Sequence, residues 1–215
     1  MTLKSLKWFS LIACLLFLPM AVFGQYDIKH DVHNKEDIEM IQSMNDKRKI
    51  RSSKTLNIGN IERIYYVAAD GATDVFCIQS KYNNGVWKRD IETSALLPAS
   101  STETPFIDFV DDQRVYITYY PDDKLSQSVF SYAYTLVYEE STWYVESVSF
   151  GKLDEGIHLF KATVVNLAQG LTSTYSFDTK SEEIVASEEA PNHQKKIKVA
   201  DFVLSDFISK IALEL

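Results

Sequence analysis

The chain has few of the residues that would staple or loosen a fold: two cysteines, seven glycines and five prolines in 215 residues. Cys14 lies in an apolar N-terminal run, so a chain shorn of that run keeps Cys77 alone, forms no internal disulfide and must be held by a packed core. Scarce glycine and proline, with no long run of either, exclude collagen-like and linker-dominated chains. Also missing are a Walker-type glycine loop, a Gly-x-Ser-x-Gly elbow, a His-Glu-x-x-His pair and a Cys-x-x-Cys pair, so no familiar catalytic or zinc signature is present. What is there is 46% hydrophobic and 24% charged, enough for one globular domain and too apolar for a disordered one.

Charge falls mainly on one sign. Twenty-two basic against 30 acidic residues give a net charge of −8, which repels nucleic-acid backbones and anionic lipid surfaces. The dense basic clusters, Lys47-Arg48-Lys49-Ile50-Arg51 and Lys195-Lys196-Ile197-Lys198, read as solvated helix or loop faces.

Lys4 and Lys7 precede an uncharged apolar run from Trp8 to Phe23, and Gly24-Gln25 opens onto charged sequence. This is the order of a secretory signal peptide over residues 1–24, with cleavage after Gly24 leaving Gln25 at the mature N-terminus. The expected location is therefore secreted or periplasmic. Leu11-Ile12-Ala13-Cys14 offers an alternative as a lipobox, in which a lipidated Cys14 would anchor the protein to a membrane of the envelope.

Residues 25–60 read as a polar leader with a short helix: Asn34 caps it, Ile38, Ile41 and Met44 recur at helical spacing, and the cations near Lys49 close it. Over 61–215 the period changes to two and the residues become Tyr, Val, Phe, Ile and Thr. Strands are expected over 61–69, 73–82, from 86, 106–110, 114–120, 129–138, 143–150, 159–167, 172–177 and 183–186. Asn83-Asn84-Gly85 is the strongest hairpin signal. Ser187 to Gln194 breaks the pattern, after which Val199, Phe202, Val203, Phe207 and Ile211 predict a C-terminal helix packed on a sheet. About ten strands joined by short turns make a mainly β, antiparallel meander, as a sandwich or partly closed barrel.

Arg63 to Trp87 and Arg114 to Trp143 repeat an order of strand, turn and tryptophan. Together with Trp87 through Pro105-Phe106 to Tyr116, this order resembles the blades of WD40-like β-propellers of bacterial envelope proteins. Three such units do not close a ring, so the repeat reads as two similar hairpin pairs.

Candidate chemistry is thin. Asp27, His30, Asp31 and His33 bring oxygen and imidazole donors together, but the segment reads as an exposed leader and not as a metal site. His158 and His193 stand alone. The acidic pairs Asp111-Asp112, Asp122-Asp123, Glu139-Glu140, Glu182-Glu183 and Glu188-Glu189 read as solubilising turns, although a hydrolase needs two carboxylates facing across a cleft. Cys77 has apolar neighbours and reads as a small core side chain. Tyrosines are in surplus, and Tyr132, Tyr134 and Tyr138 share one strand face that could serve as core or as a stacking surface for sugar rings or a protein. The reading is a non-enzymatic, cofactor-free binding module for a protein or glycan, with no catalytic residue assigned. A small secreted hydrolase with scattered carboxylates or a histidine is the alternative.

Overall fold

Runs of β-branched and aromatic residues send successive side chains to opposite faces of a strand, and here they build two antiparallel sheets whose inner faces are buried against each other. The computed structural model describes residues 35–44, 46–71, 73–97, 104–119, 131–154, 158–178, 180–181 and 183–214. The first sheet has the order β1-β2-β3-β4: β1 (Lys49–Ile58), β2 (Ile61–Asp70), β3 (Thr73–Lys81) and β4 (Trp87–Thr93). The second runs β11-β10-β9-β8-β7-β6-β5. Its strands are β5 (Phe106–Phe109), β6 (Arg114–Tyr119), β7 (Ser131–Glu139), β8 (Thr142–Asp154), β9 (Leu159–Asn166), β10 (Leu171–Asp178) and β11 (Glu183–Pro191). The short β12 (Ile197–Lys198) pairs with Val145 and Tyr144 of β8, in the lane that β9 leaves when its pairing ends at Ser147. Helices α1 (Lys35–Ser43) and α2 (Leu204–Glu214) flank the strands in sequence. The fold is thus a mainly β meander in two sheets, not a closed barrel, with a short helix at each end.

The core lies between the sheets. Tyr65, Val67, Phe76 and Ile78 of the first sheet meet Val115, Ile117, Tyr134, Leu136, Trp143 and Val145 of the second. Tyr65 stands edge-on to Trp143, with ring centroids 5.9 Å apart, and to Phe109 at 5.1 Å, a geometry that aligns ring edges with ring faces. Arg63, only 3% exposed, stacks its guanidinium 4.2 Å from the Tyr138 ring and 5.5 Å from that of Trp143, so the first sheet sends a cation into the aromatic end of the second. The far face of the first sheet is covered by α1, whose Ile41 packs with Ile50, Ile64, Tyr66, Ala68, Val75 and Cys77. Asp37 fastens that helix: Thr55 Oγ1 donates to its carboxylate at 2.8 Å and Ser53 Oγ at 3.3 Å.

Several expectations change. Strand structure begins at Lys49 and not near residue 61; the helix stops at Ser43, so the basic cluster Lys47–Arg51 enters β1 and is not the end of a helix. Among the described residues there are twelve strands, the additions being β1 and β12. The last long strand continues through Ser187 to Pro191, where the sequence suggested a break. At the C-terminus, Val199–Asp201 form a single 3-10 turn, Phe202 is extended with ψ 128°, and Leu204 replaces the exposed Val203 on the buried stripe with Phe207 and Ile211. The two hairpin repeats separate: Arg63 to Trp87 lies in the first sheet and Arg114 to Trp143 in the second. Residues 1–34, including Cys14, Gly24, Gln25 and Asn34, lie outside the described residues, as do Tyr120 and Asp122-Asp123. No described helix is long and apolar enough to cross a membrane.

Candidate functional site

The edges of the sheets differ in what lies beside them. Lys54 of β1 pairs with Asp108 of β5, and the 3-10 turn approaches β4. Among the described residues, β11 is paired only with β10, and its other edge has no strand. Every one of its nine residues is exposed, with Ile184 and Val185 each at 56%.

Local hydrogen bonds fasten this hairpin at both ends. At the tip, the backbone N–H groups of Lys180 and Ser181 donate to the Asp178 carboxylate at 2.7 and 3.1 Å, and these bonds pull its pKa down. At the base, the N–H of Asn192 donates to the Gly170 carbonyl at 2.7 Å, and its side-chain amide donates to Thr172 Oγ1 at 3.2 Å. Gly170 has φ +65°, and a Cβ there would sit 3.1 Å from the Asn192 carbonyl oxygen, so glycine suits the position twice over. Between these clamps the register shifts once, at Val185, a bulge that twists the strand. Glu188 lies opposite Thr174 and Glu189 opposite Ser173, so successive carboxylates fall on opposite faces.

A second polar assembly surrounds Arg48. Its guanidinium donates to Asp46 through Nε at 2.9 Å and Nη2 at 2.6 Å, and to Glu92 at 3.2 Å, with Asp70 at 3.9 Å. Tyr66 Oη donates to Asp46 at 2.9 Å and receives the Gln79 amide at 2.7 Å. The bidentate bond from Arg48 outweighs burial and holds the Asp46 carboxyl down to about 2; the same bond pushes Arg48 up. Asp46, Lys47, Arg48, Arg89 and Glu92 line a shallow depression of about 420 Å³.

Carboxylates from separate segments therefore do converge, as a hydrolase would require, but they converge on a guanidinium. A general acid needs a raised pKa. The carboxyl groups displaced from their ordinary range, Asp46, Asp111 and Asp178, all move down.

The other candidates are placed as follows. Cys77 is fully buried, and burial raises its thiol to about 11 against the lowering effect of Arg48, whose Nη2 lies 3.5 Å from Sγ. Sequence proximity did not reveal that cation, which comes from the segment before β1. Tyr134 is fully buried and Tyr132 nearly so, with Tyr65, Tyr66 and Tyr119 also enclosed: these rings are core and not a stacking surface. Asp111 bonds Arg114 at the β5–β6 turn and Glu140 lies in the β7–β8 turn, as turn acids should, while Glu139 ends β7 and pairs with Lys196. Glu188 and Glu189, by contrast, lie within β11. Among the described residues no group of three His, Cys, Asp or Glu is arranged to hold a metal; Asp27, His30, Asp31 and His33 are outside them. His158 and His193 do not share a site with the acids around Arg48.

The β11 edge is what sequence reasoning missed. Asn192 and Pro191 were visible as a break, but nothing apolar marks a period between Ser187 and Ala190. The equal lengths available on either side of Asp178 were the signal. Compared with protein-family models, curated proteins and solved structures, the chain matches none.

Proposed function

We propose that the chain is an exported, non-enzymatic binding module of the periplasm or extracellular space that recognises another protein along the free edge of β11. One observation carries this reading: a nine-residue strand, exposed throughout, ends the larger sheet, and among the described residues no strand pairs with its outer edge. Such an edge presents a row of backbone donors and acceptors that an extended segment satisfies by adding a strand. The clamps at Asp178 and Asn192 support the reading, because an edge ordered beforehand loses less entropy on binding. Burial of Tyr65, Tyr66, Tyr119, Tyr132 and Tyr134 favours a protein over a glycan, since sugar recognition draws on exposed rings. Export is supported by the order Lys4, Lys7, apolar run, Gly24-Gln25. The enzyme alternative has no favouring observation, because the converging acids meet on the Arg48 guanidinium, which holds the Asp46 carboxyl ionised.

The test is photo-crosslinking in the producing cell, with the reactive side chain placed at Ser187 of β11 or at Val86, an exposed turn residue of the other sheet. Protease-sensitive adducts at position 187 and their absence at 86 are the expected result. Adducts at both positions alike, or at neither, would overturn the reading.

A further inference from the structure

Resting on that reading, we infer that the segment taken up by β11 is a basic one, an extended stretch of a partner protein with lysine or arginine side chains at intervals along it. The hairpin strands carry Asp178, Glu183, Glu188 and Glu189 and no cation at all. Glu188 and Glu189 project on opposite faces at the open edge, so a strand laid beside them meets a carboxylate whichever face its own side chains take. Neither is engaged in an ion pair among the described residues, and the hydrogen bond from Ser173 Oγ to Glu189, at 3.5 Å, is long and weak. Toward the tip, Ile184 and the bulged Val185 supply an apolar footing, so the fitting segment has an apolar side chain at one end and cations toward the other.

Charge also excludes the other occupants. A second copy of this chain pairing β11 with β11 would set three glutamates of one strand against three of the next, and like charges across a strand pair are destabilising. A polyanion would meet the same repulsion.

The probe is a synthetic peptide of about the length of β11 in which lysine alternates with valine, compared with versions carrying serine or glutamate in place of lysine. Binding to the purified full chain is followed by fluorescence anisotropy, and its location by backbone amide shifts in NMR spectra. The lysine peptide is expected to bind saturably, to shift the amides of Glu183 to Ala190 and to lose affinity in high salt. The double variant Glu188→Lys, Glu189→Lys, whose sites are exposed and whose unfolding midpoint should match the parent, is expected to bind it roughly tenfold more weakly. If the serine peptide engages β11 as tightly, or the double variant is unaffected, the basic partner is overturned while strand addition stands. If none of the peptides shifts the β11 amides, both fall.

Discussion

Replacing Asp46 by Asn removes one charge from the interior and changes almost nothing in size, so its effect reads the bonds that the ionised carboxylate accepts, that from Arg48 foremost. The Asp46 side chain is 1% exposed, and its carboxylate takes two guanidinium bonds and the Tyr66 hydroxyl. Its pKa falls from 3.8 to about 2 on folding, which corresponds to about 2 kcal/mol of stability. The sign follows from proton binding. At acidic pH the unfolded chain holds the Asp46 proton more tightly, so the contribution is complete above the unfolded value near 3.8 and is lost as pH falls through about 2. Asp46→Asn should therefore lie about 2 kcal/mol below the parent at neutral pH, and the gap should shrink in acid. Urea unfolding of both proteins, followed by tryptophan fluorescence over a pH series, reads this directly. Carboxylates away from Arg48 are common to the pair and cancel. A gap that stays constant from neutral pH into acid, or that is absent at neutral pH, would refute the linkage.

Other perturbations have comparable reach. Arg63→Ala should cost about 2–4 kcal/mol in denaturant unfolding by emptying the space beneath Tyr138 and Trp143, and Arg63→Lys about 1 kcal/mol by losing the stacked plane; a lysine variant equal to the parent would show that charge alone suffices. Gly151→Ala would set a Cβ 2.3 Å from Cζ of Phe160, so a loss of about 1–3 kcal/mol is expected, partly restored by adding Phe160→Leu; an unchanged melting temperature would contradict that packing. Cys77 should resist a thiol reagent in the native protein at mildly alkaline pH and react fully in denaturant, since its thiol stays protonated up to about 11; rapid native labelling would reinstate it as a reactive site.

The class of fold was legible because its causes are local. Tyr65 to Ala68 and Tyr132 to Leu136 show period two, and Asn83-Asn84-Gly85 marks a turn whose Gly85 takes φ +74°. Pairing across the sandwich was not legible. The stacking of Arg63 on Trp143 and the approach of Arg48 to Cys77 join residues far apart in sequence, and no spacing rule connects them. The β1 strand was hidden because Lys49, Arg51 and Lys54 interrupt its apolar pattern. Arg51 and Lys54 are there to meet Asp74 and Asp108, acids supplied by other strands. The β7–β8 turn carried no glycine or asparagine signal, yet Glu140 and Ser141 take φ of 48° and 63°, a conformation set by the strands they join. Burial takes Tyr65, Tyr66, Tyr119, Tyr132 and Tyr134 out of the surface role that the tyrosine surplus suggested, while Tyr82, Tyr138, Tyr144 and Tyr175 are half-buried. The β11 edge was concealed for the opposite reason: a strand exposed on both faces has no hydrophobic period to read.

Recognition along β11 requires an ordered strand with a free edge, and residue-resolved hydrogen exchange of the purified chain tests that state. The amides that β11 donates to β10 should be protected while the alternate, outward ones exchange near the rate of open chain, and the amides of β7 and β8 should be the slowest. Outward amides of β11 as slow as those of β7 would mean that the edge is already covered, and uniformly fast exchange through β10 and β11 would mean that no ordered strand waits there; either result contradicts the account.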